Sequence, residues 1–265
     1  MLLSTKVGRV LFAPVNRASF AAGPQARASI GGLPFDYHYD YSYDGIMRSY
    51  EDSLQRLGMT SVDILTIHDL DFGYHRPETR VGAYLGQLAT SGYRALTELK
   101  AAGLISAIGV GINELGMIPR FLELFEIDFF LLALRYTLGE QSALDQEIPL
   151  CVDQGIGLII GAVFSSGIYA TGPIPGARFN YRQPSPEELA KVSAIEAVCR
   201  RHGVPLAAAA LQFPLHHPLV VSVIPGGFRP DHVLSNVHHM QHPIPDMLWA
   251  DLKHARLIRS DAVTP

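Results

Sequence analysis

The sequence has few cysteines, no excess of basic charge and no long apolar run, and each absence excludes a class of protein. Of its 265 residues only Cys151 and Cys199 are cysteines, and both fall inside predicted helices without the paired spacing of metal ligands. We therefore predict buried, inert thiols and a reducing, cytoplasmic location.

Charge and hydropathy exclude two kinds of partner. Basic residues number 21 against 25 acidic ones, a net charge of -4, which leaves no electrostatic footprint for nucleic acid. No stretch approaches the roughly 18 consecutive apolar residues that a membrane helix needs. Lys6 interrupts the apolar start too early for an export signal. We expect no nucleic acid and no membrane partner, and a small molecule as the substrate.

What the sequence does have is an alternation of continuous apolar runs with segments of helical periodicity. Continuous runs are typical of strands that are covered on both faces in a parallel sheet. The six predicted strands begin at Leu2, Val62, Leu104, Asp128, Ile156 and Leu219. Such a chain forms either an open doubly wound sheet or a closed eight-stranded barrel, for which two more strands are needed. No linker divides the chain, so residues 1–265 are predicted to form one α/β domain.

The clearest helix signal follows a loop rich in glycine and proline. Ser185 is a good N-cap, Pro186 suits the first turn, and Glu188 stands three residues after the cap. Gly203 is the predicted stop of this helix, and Gly58 is the predicted stop of an earlier helix with Ile46, Tyr50 and Leu54 at helical spacing.

Polar side chains concentrate where the predicted strands end, and parallel α/β folds carry their reactive groups there. These residues are Lys6, His68, Asn113, Arg135, Tyr136, Phe164, Ser165 and the glycines of the segment IPGGFRP. Alone, His68 is equally well explained as a structural histidine and Lys6 as a surface lysine. The histidine pairs at 216–217 and 238–239 lack a third ligand at sensible spacing, so we predict solvated histidines and no metal site.

Several motifs together resemble the aldo-keto reductase family. They are Ser53, Leu54, Arg56 and Leu57, then Asp63 in a strand that ends at His68, and the segments STKVGR, IGVGIN and VIPG. The segments IHDLD, LLALRYTLGEQ and AAAALQFPL resemble most the branch of aldose and L-fucose 1-dehydrogenases and pyridoxal 4-dehydrogenases. The resemblance runs across the chain to its last helix.

The resemblance implies a (β/α)8 TIM barrel and a catalytic tetrad of Asp, Tyr, Lys and His, in which Lys6 is the lysine and His68 the histidine. Hydride transfer at a carbinol carbon needs an acid or base of tuned pKa and donors for the developing oxyanion. A cation beside a tyrosine lowers the pKa of its phenol, which would be the part played by Lys6.

The family places the tetrad Asp and Tyr upstream of the lysine strand. We therefore expect a barrel that lacks its first two βα units and keeps six parallel strands. The two strand edges left open are expected to make the chain aggregation-prone or to pair it with another copy as a homo-oligomer.

Tyrosines 37, 39, 41 and 43 are expected in a loop or at the substrate rim rather than as a substitute for the missing tyrosine. The resemblance makes Tyr41, Arg135 and Tyr136 the candidates for substrate contact.

The resemblance also implies a dinucleotide site. Asn113 would hold the nicotinamide carboxamide and Phe164 would stack on the ring, with core packing as the alternative for Phe164. The other cofactor candidates are Ser165, Gly167, Gly226, Gly227, Phe228, Arg229, His232 and Asn236. A loop and a short helix at 224–236 would hold the phosphates. Gly226 and His232 stand where NADP-preferring relatives place basic residues, so NAD is somewhat favoured over NADP.

We expect an NAD(P)-dependent dehydrogenase that transfers hydride at C1 of an aldose of the L-fucose or D-threo-aldose type. One alternative is activity on pyridoxal. The other is a catalytically impaired chain that binds a dinucleotide or a partner chain.

Overall fold

The computed structural model describes residues 2–16, 20 and 35–265. Contacts within the chain group it into two compact units, Met1–Gly111 with Leu124–Asp128, and Ile112–Glu123 with Phe129–Pro265.

The first unit carries three parallel strands, β1 (Ser4–Val7), β4 (Ile64–His68) and β5 (Ala107–Ile112), paired in that order. Val7 lies opposite Ile67 and Ile67 opposite Val110, and all three side chains are fully buried. Parallel strands in this register end at one edge, so the residues that follow them are brought together.

The motif residues before β4 attach β1 to this layer. The Leu3 N–H donates to Asp63 Oδ2 at 2.7 Å, and Thr5 Oγ1 donates to Ser53 Oγ at 3.3 Å. Ser53 lies on α1 (Tyr43–Leu57), which is capped by Ser42 and ends at Gly58 in the left-handed region, with φ 63°. The predicted stop at Gly58 is confirmed.

An antiparallel hairpin follows β1 and was not predicted. Its strands are β2 (Arg9–Phe12) and β3 (Asp36–Tyr39), with Arg9 opposite Tyr39. The expectation that the tyrosines at 37 and 39 lie in a loop is therefore wrong. The partner strands are separated by 23 residues of sequence, from 13 to 35, so no short turn signal links them.

Between β4 and β5 a helical layer runs from residue 78 to 101. Helix α2 (Glu78–Gln87) continues through a π-helical turn, Leu88–Gly92, into α3 (Tyr93–Ala101). A Cβ on Gly92 would come within 1.9 Å of the carbonyl oxygen of Tyr41, so only glycine allows this close approach.

The second unit also carries three parallel strands, β6 (Phe129–Ala133), β7 (Gly157–Gly161) and β8 (Val220–Ile224). Leu131 lies opposite Ile159, and Ile160 opposite Val223. Among the described strands, β8 pairs only with β7, and its Val221 is 66% exposed.

The helices of this part of the chain are α4 (Met117–Leu124), α5 (Glu147–Gln154), α6 (Ile168–Thr171), α7 (Pro186–Arg201), α8 (Leu206–Gln212), α9 (Pro230–Gln241) and α10 (Asp246–His254), with short 3₁₀ turns at Ser142–Leu144, Ser165–Gly167 and Phe213–His216. The predicted capping box is confirmed at α7, where Ser185 Oγ accepts from the Glu188 N–H and the Glu188 side chain accepts from the Ser185 N–H. Pro119 falls in the first turn of α4, where a missing N–H costs nothing.

Both cysteines are buried, as predicted, and burial raises the pKa of each thiol to about 12. Such thiols carry almost no reactive thiolate at neutral pH. Within the described ranges, no helix has both the length and the apolar character needed to cross a bilayer.

Candidate active site

Lys6 and His68 come from neighbouring strands of the first unit. Lys6 lies opposite Thr66 in the β1–β4 ladder, and His68 is the last residue of β4, at the carboxyl edge. The Lys6 side chain is exposed, and that of His68 is 24% exposed. The pair of strands thus presents one cation and one imidazole at the same edge.

His68 is neutral at physiological pH. Burial, together with the positive charges of Arg9 and Lys6, lowers its pKa to about 3. The effect of Lys6 shows that the lysine and the histidine share one electrostatic environment. A neutral imidazole keeps one N–H, so His68 can donate one hydrogen bond to an oxygen next to the lysine cation.

The residue after His68 completes this cluster, and sequence reasoning missed it. Asp69 is 2% exposed, its Oδ1 lies 3.2 Å from His68 Nε2, and its Oδ2 forms an ion pair with Arg9 Nη2. Burial raises the pKa of Asp69 to about 6, although Arg9 opposes the shift. The signal that could have found it is an acidic residue directly after the histidine.

Tyr41 was expected at the substrate rim, but the structure buries it completely. Its hydroxyl donates to the His68 carbonyl at 2.7 Å and lies 3.1 Å from His75 Nε2. Tyr43 begins α1 and its hydroxyl donates to Glu98. The expectation that Tyr41 lies at the substrate rim is wrong. Gly8 and Gly92 have no side chains, which leaves space in the core for the ring and the backbone of Tyr41.

Asn113, Arg135 and Tyr136 lie in the second unit. Arg135 Nε donates to the Asn113 carbonyl at 2.7 Å, and its Nη2 donates to Glu114 at 2.7 Å. Tyr136 is fully buried, and its hydroxyl has no hydrogen-bond partner within the described residues. Substrate contact by Arg135 and Tyr136 stays a prediction.

A cavity of about 580 Å³ in the second unit brings most of the predicted dinucleotide residues together. Phe164, Gly167, Gly226, Gly227, Phe228, His232 and Asn236 line it. Ser166 lines it in place of the predicted Ser165, which is buried. Ser166 has φ 66° and is the residue at which the 3₁₀ turn departs from helical geometry. Its position relative to the end of the strand does not reveal this departure, which is why the sequence predicted Ser165 instead.

The loop before α9 lines this cavity with Gly226, Gly227 and Phe228. The Asn236 amide donates to the Gly226 carbonyl at 3.3 Å, and Phe228, 89% exposed, packs edge-on against the His232 ring at 4.6 Å. A Cβ on Gly226 would meet no atom within 4 Å among the described residues. Two glycines of the loop and one side of α9, with His232, Asn236 and His239, therefore line the cavity together.

Arg229, the firm cation of this loop, is already paired. Its Nε and Nη2 donate to the two oxygens of Asp231 at 3.0 and 2.5 Å. The Arg229 guanidinium lowers the pKa of that exposed carboxyl. The sequence prediction treated Arg229 as an available cation and did not include its ion pair with Asp231.

The histidine pair at 216–217 is not solvated as predicted. His217 is 7% exposed, and the His216 ring packs edge-on against Trp249 at 4.9 Å. The pair follows the 3₁₀ turn after α8 and is packed against α10. Across the described residues, no group of three or more His, Cys, Asp or Glu side chains could hold a metal ion.

Comparisons with known proteins agree on one family. The model of the aldo/keto reductase family matches residues 1–256 of this chain. A pyridoxal 4-dehydrogenase from Microbacterium luteolum is 39% identical over 97% of this chain and 76% of its own length. A D-threo-aldose 1-dehydrogenase from a Pseudomonas species is 35% identical, over 97% of this chain and 75% of the relative.

Solved structures agree on the fold. An aldo-keto reductase from Bacillus halodurans in its holo form has a TM-score of 0.67 at 20% identity, over 99% of this chain and 74% of that protein. A glycerol dehydrogenase from Gluconobacter oxydans has a TM-score of 0.68 at 18% identity, over 100% and 76%. The predicted α/β class with six parallel strands of a (β/α)8 barrel is confirmed.

Proposed function

Because the chain belongs to the aldo/keto reductase family, we propose that it is an NAD(P)-dependent dehydrogenase acting at C1 of an aldose of the L-fucose or D-threo-aldose type. Oxidation of pyridoxal is the alternative reaction. The two relatives above support these substrate classes.

The observation that carries the proposal is the cluster at the carboxyl edge of β1 and β4. An exposed lysine and a neutral histidine stand on adjacent parallel strands, with a buried acid of raised pKa behind the histidine. Groups whose pKa values are driven apart in one place are typical of acid and base pairs.

The nicotinamide ring, when bound, supplies the hydride acceptor or donor, and the protein handles the oxygen. His68 donates a hydrogen bond to the carbonyl or hydroxyl oxygen of the substrate. Lys6 would stabilise the negative charge that builds on that oxygen, and the proton that the hydroxyl loses on oxidation would pass to water. The glycine loop at 226–227 and the side of α9 with His232 and Asn236 would hold the phosphates of the cofactor.

NAD is favoured over NADP in this proposal. The 2'-phosphate of NADP needs an available cation, and Arg229 is engaged by both oxygens of Asp231. His232 of α9 lines the cavity and offers a ring N–H as a donor there.

A second candidate function is dinucleotide binding without turnover. The observation that favours it is that the 580 Å³ cavity is lined entirely by residues of the second unit. Binding there does not depend on Lys6 or His68.

The test is a steady-state assay of the 265-residue chain with L-fucose, D-threo-aldoses and pyridoxal, each with NAD and with NADP, followed by absorbance of the reduced cofactor. Lys6→Met is expected to lower kcat by about 10² or more. Lys253→Met, a lysine on α10, is the matched control and keeps kcat within about twofold. Absence of turnover with every pair would refute the dehydrogenase proposal. NADH titration by fluorescence then decides whether the binding function stands.

Self-association through open strand edges belongs to the same proposal. Val221 and Ile224 on β8 are 66% and 49% exposed, and an exposed apolar edge strand is a template for pairing. Size-exclusion chromatography should give a dimer or larger species, and a monodisperse monomer at high concentration would contradict the expectation.

A further inference from the structure

The contact between His68 and Asp69 requires an unusual backbone. In an extended strand, successive side chains point to opposite faces, so residues 68 and 69 could not meet. Asp69 has φ 56°, in the left-handed region, and its N–H donates to the Gly111 carbonyl at 3.2 Å. The chain thus leaves the strand at Asp69 while staying bonded to β5, and the turn brings its Oδ1 to 3.2 Å from His68 Nε2.

Asp69 is in turn held from the hairpin. Arg9, the first residue of β2, forms an ion pair with Oδ2, the oxygen that does not face the histidine. Its guanidinium lies over three tyrosine rings, 4.7 Å from the centroid of Tyr37, 5.4 Å from that of Tyr39 and 5.3 Å from that of Tyr74. A cation fixed over aromatic faces keeps its direction, so the carboxylate has one orientation available.

A negative oxygen beside Nε2 decides where the imidazole proton resides. With the proton on Nδ1, the electron-rich Nε2 would lie 3.2 Å from the negative carboxylate oxygen, which is unfavourable. With the proton on Nε2, the partly positive hydrogen lies near the negative charge and is attracted, while the contact is outside hydrogen-bond geometry and leaves the N–H available to another acceptor. The second arrangement is favoured, and it gives His68 a donor at Nε2.

We infer that Asp69 and Arg9 are positioning residues for His68: the Asp69 carboxylate fixes the imidazole in the tautomer protonated at Nε2, and Arg9 fixes the carboxylate. The catalytic value of this arrangement rests on the function proposed above, because only a reacting oxygen makes use of the donor. The tautomer itself is a property of the free protein.

The device has a defined pH limit. The charged and titratable groups that act on Asp69 are Arg9, Lys6 and Asp71, with Tyr39, Tyr41 and His75 packed around it. Burial raises the pKa of Asp69 to about 6, whereas His68 has a pKa lowered to about 3. Below about pH 6 the carboxyl is protonated while the imidazole stays neutral, so the tautomer preference weakens without charging the histidine.

The experiment measures the tautomer by ¹⁵N NMR of protein labelled at histidine, with the His68 signals assigned by their loss in His68→Gln. In the wild-type chain at pH 7.5 to 8, about 90% or more of His68 is expected to be protonated at Nε2. In Asp69→Asn, which keeps the shape and suits a left-handed backbone, the tautomer ratio should fall by about tenfold. Arg9→Lys should give a smaller change in the same direction.

Glu51→Gln on the exposed face of α1 removes the same charge away from the pair and serves as the control, with no change expected in the tautomer. Titration of the wild-type chain should move the His68 signals with a midpoint near pH 6, which tests the inference even where Asp69→Asn does not fold. An unchanged tautomer in folded Asp69→Asn, or a wild-type His68 protonated at Nδ1, would overturn it. Because no substrate is present, this outcome is independent of whether the chain turns over an aldose or pyridoxal.

Discussion

Replacing Tyr41 by phenylalanine removes one hydroxyl from the core of the first unit and should cost measurable stability. The hydroxyl donates to the His68 carbonyl at 2.7 Å and contacts His75, and the side chain is fully buried. Without it, buried polar atoms lose a partner that water cannot replace. The expected loss in the free energy of unfolding is about 1 to 3 kcal/mol.

Tyr136→Phe is the matched control, because it removes the same atom from a site where the hydroxyl has no partner among the described residues. This tyrosine is also fully buried. Losing an unpaired buried hydroxyl should leave stability unchanged or raise it by about 1 kcal/mol. The difference between the two variants therefore isolates the hydrogen bonds of Tyr41 from the common effect of removing an oxygen.

The assay is urea unfolding of the wild-type chain and both variants, followed by circular dichroism at one pH. The slope m should be the same for all three proteins, so that the midpoints report stability alone. Equal destabilisation by both substitutions, or a larger loss for Tyr136→Phe, would refute the reasoning. Turnover adds a second reading: a Tyr136→Phe variant that is stable but has lost activity would support substrate contact by that hydroxyl.

Three further outcomes are expected. Asp231→Asn frees the Arg229 guanidinium and should raise NADPH affinity about threefold or more, with NADH affinity unchanged, by fluorescence titration. Ser185→Ala removes the α7 cap and should cost about 1 kcal/mol, whereas exposed Ser193→Ala should be neutral in thermal melts. The raised pKa of Asp69, 3.8 to about 6, gives stability that is present below pH 3.8 and lost as pH rises through 6. The stability of Asp69→Asn minus that of wild type should therefore rise by up to about 3 kcal/mol as the pH increases from 4 to 7 in urea unfolding.

The parts of the fold that the sequence predicts are those set by local chemistry. The α7 capping box and the Gly58 stop of α1 each depend on a few neighbouring residues, and both form as expected. The β7 strand is a continuous apolar run, which identifies it without knowledge of its neighbours. Lys6 and His68 were selected because the sequence places them near strand ends, and the structure puts Lys6 one residue before the end of β1 and His68 at the end of β4.

The parts that the sequence does not predict depend on residues far apart in the chain. The β2–β3 hairpin pairs Arg9 with Tyr39, and no short turn announces the pairing. The contact of Asp69 with His68 depends on one left-handed residue, which alternation along a strand argues against. The pKa of Asp69 depends on its burial and on the charge of Arg9, and the neighbouring sequence predicts neither of them.

The segment STKVGR shows how local and distant constraints combine at this site. Lys6 is explained by its strand end alone. Gly8 has φ 101°, and a Cβ there would lie 2.3 Å from the Tyr41 ring, so its glycine is required by a residue 33 positions later. Arg9 holds the carboxylate beside His68, a residue 59 positions later. Three of the six residues therefore act at one edge of the sheet. Lys6 presents a cation, Gly8 leaves space for the tyrosine that bonds to the His68 carbonyl, and Arg9 holds the carboxylate beside the His68 ring. A substitution at Gly8 or Arg9 should therefore disturb His68 although neither residue touches it.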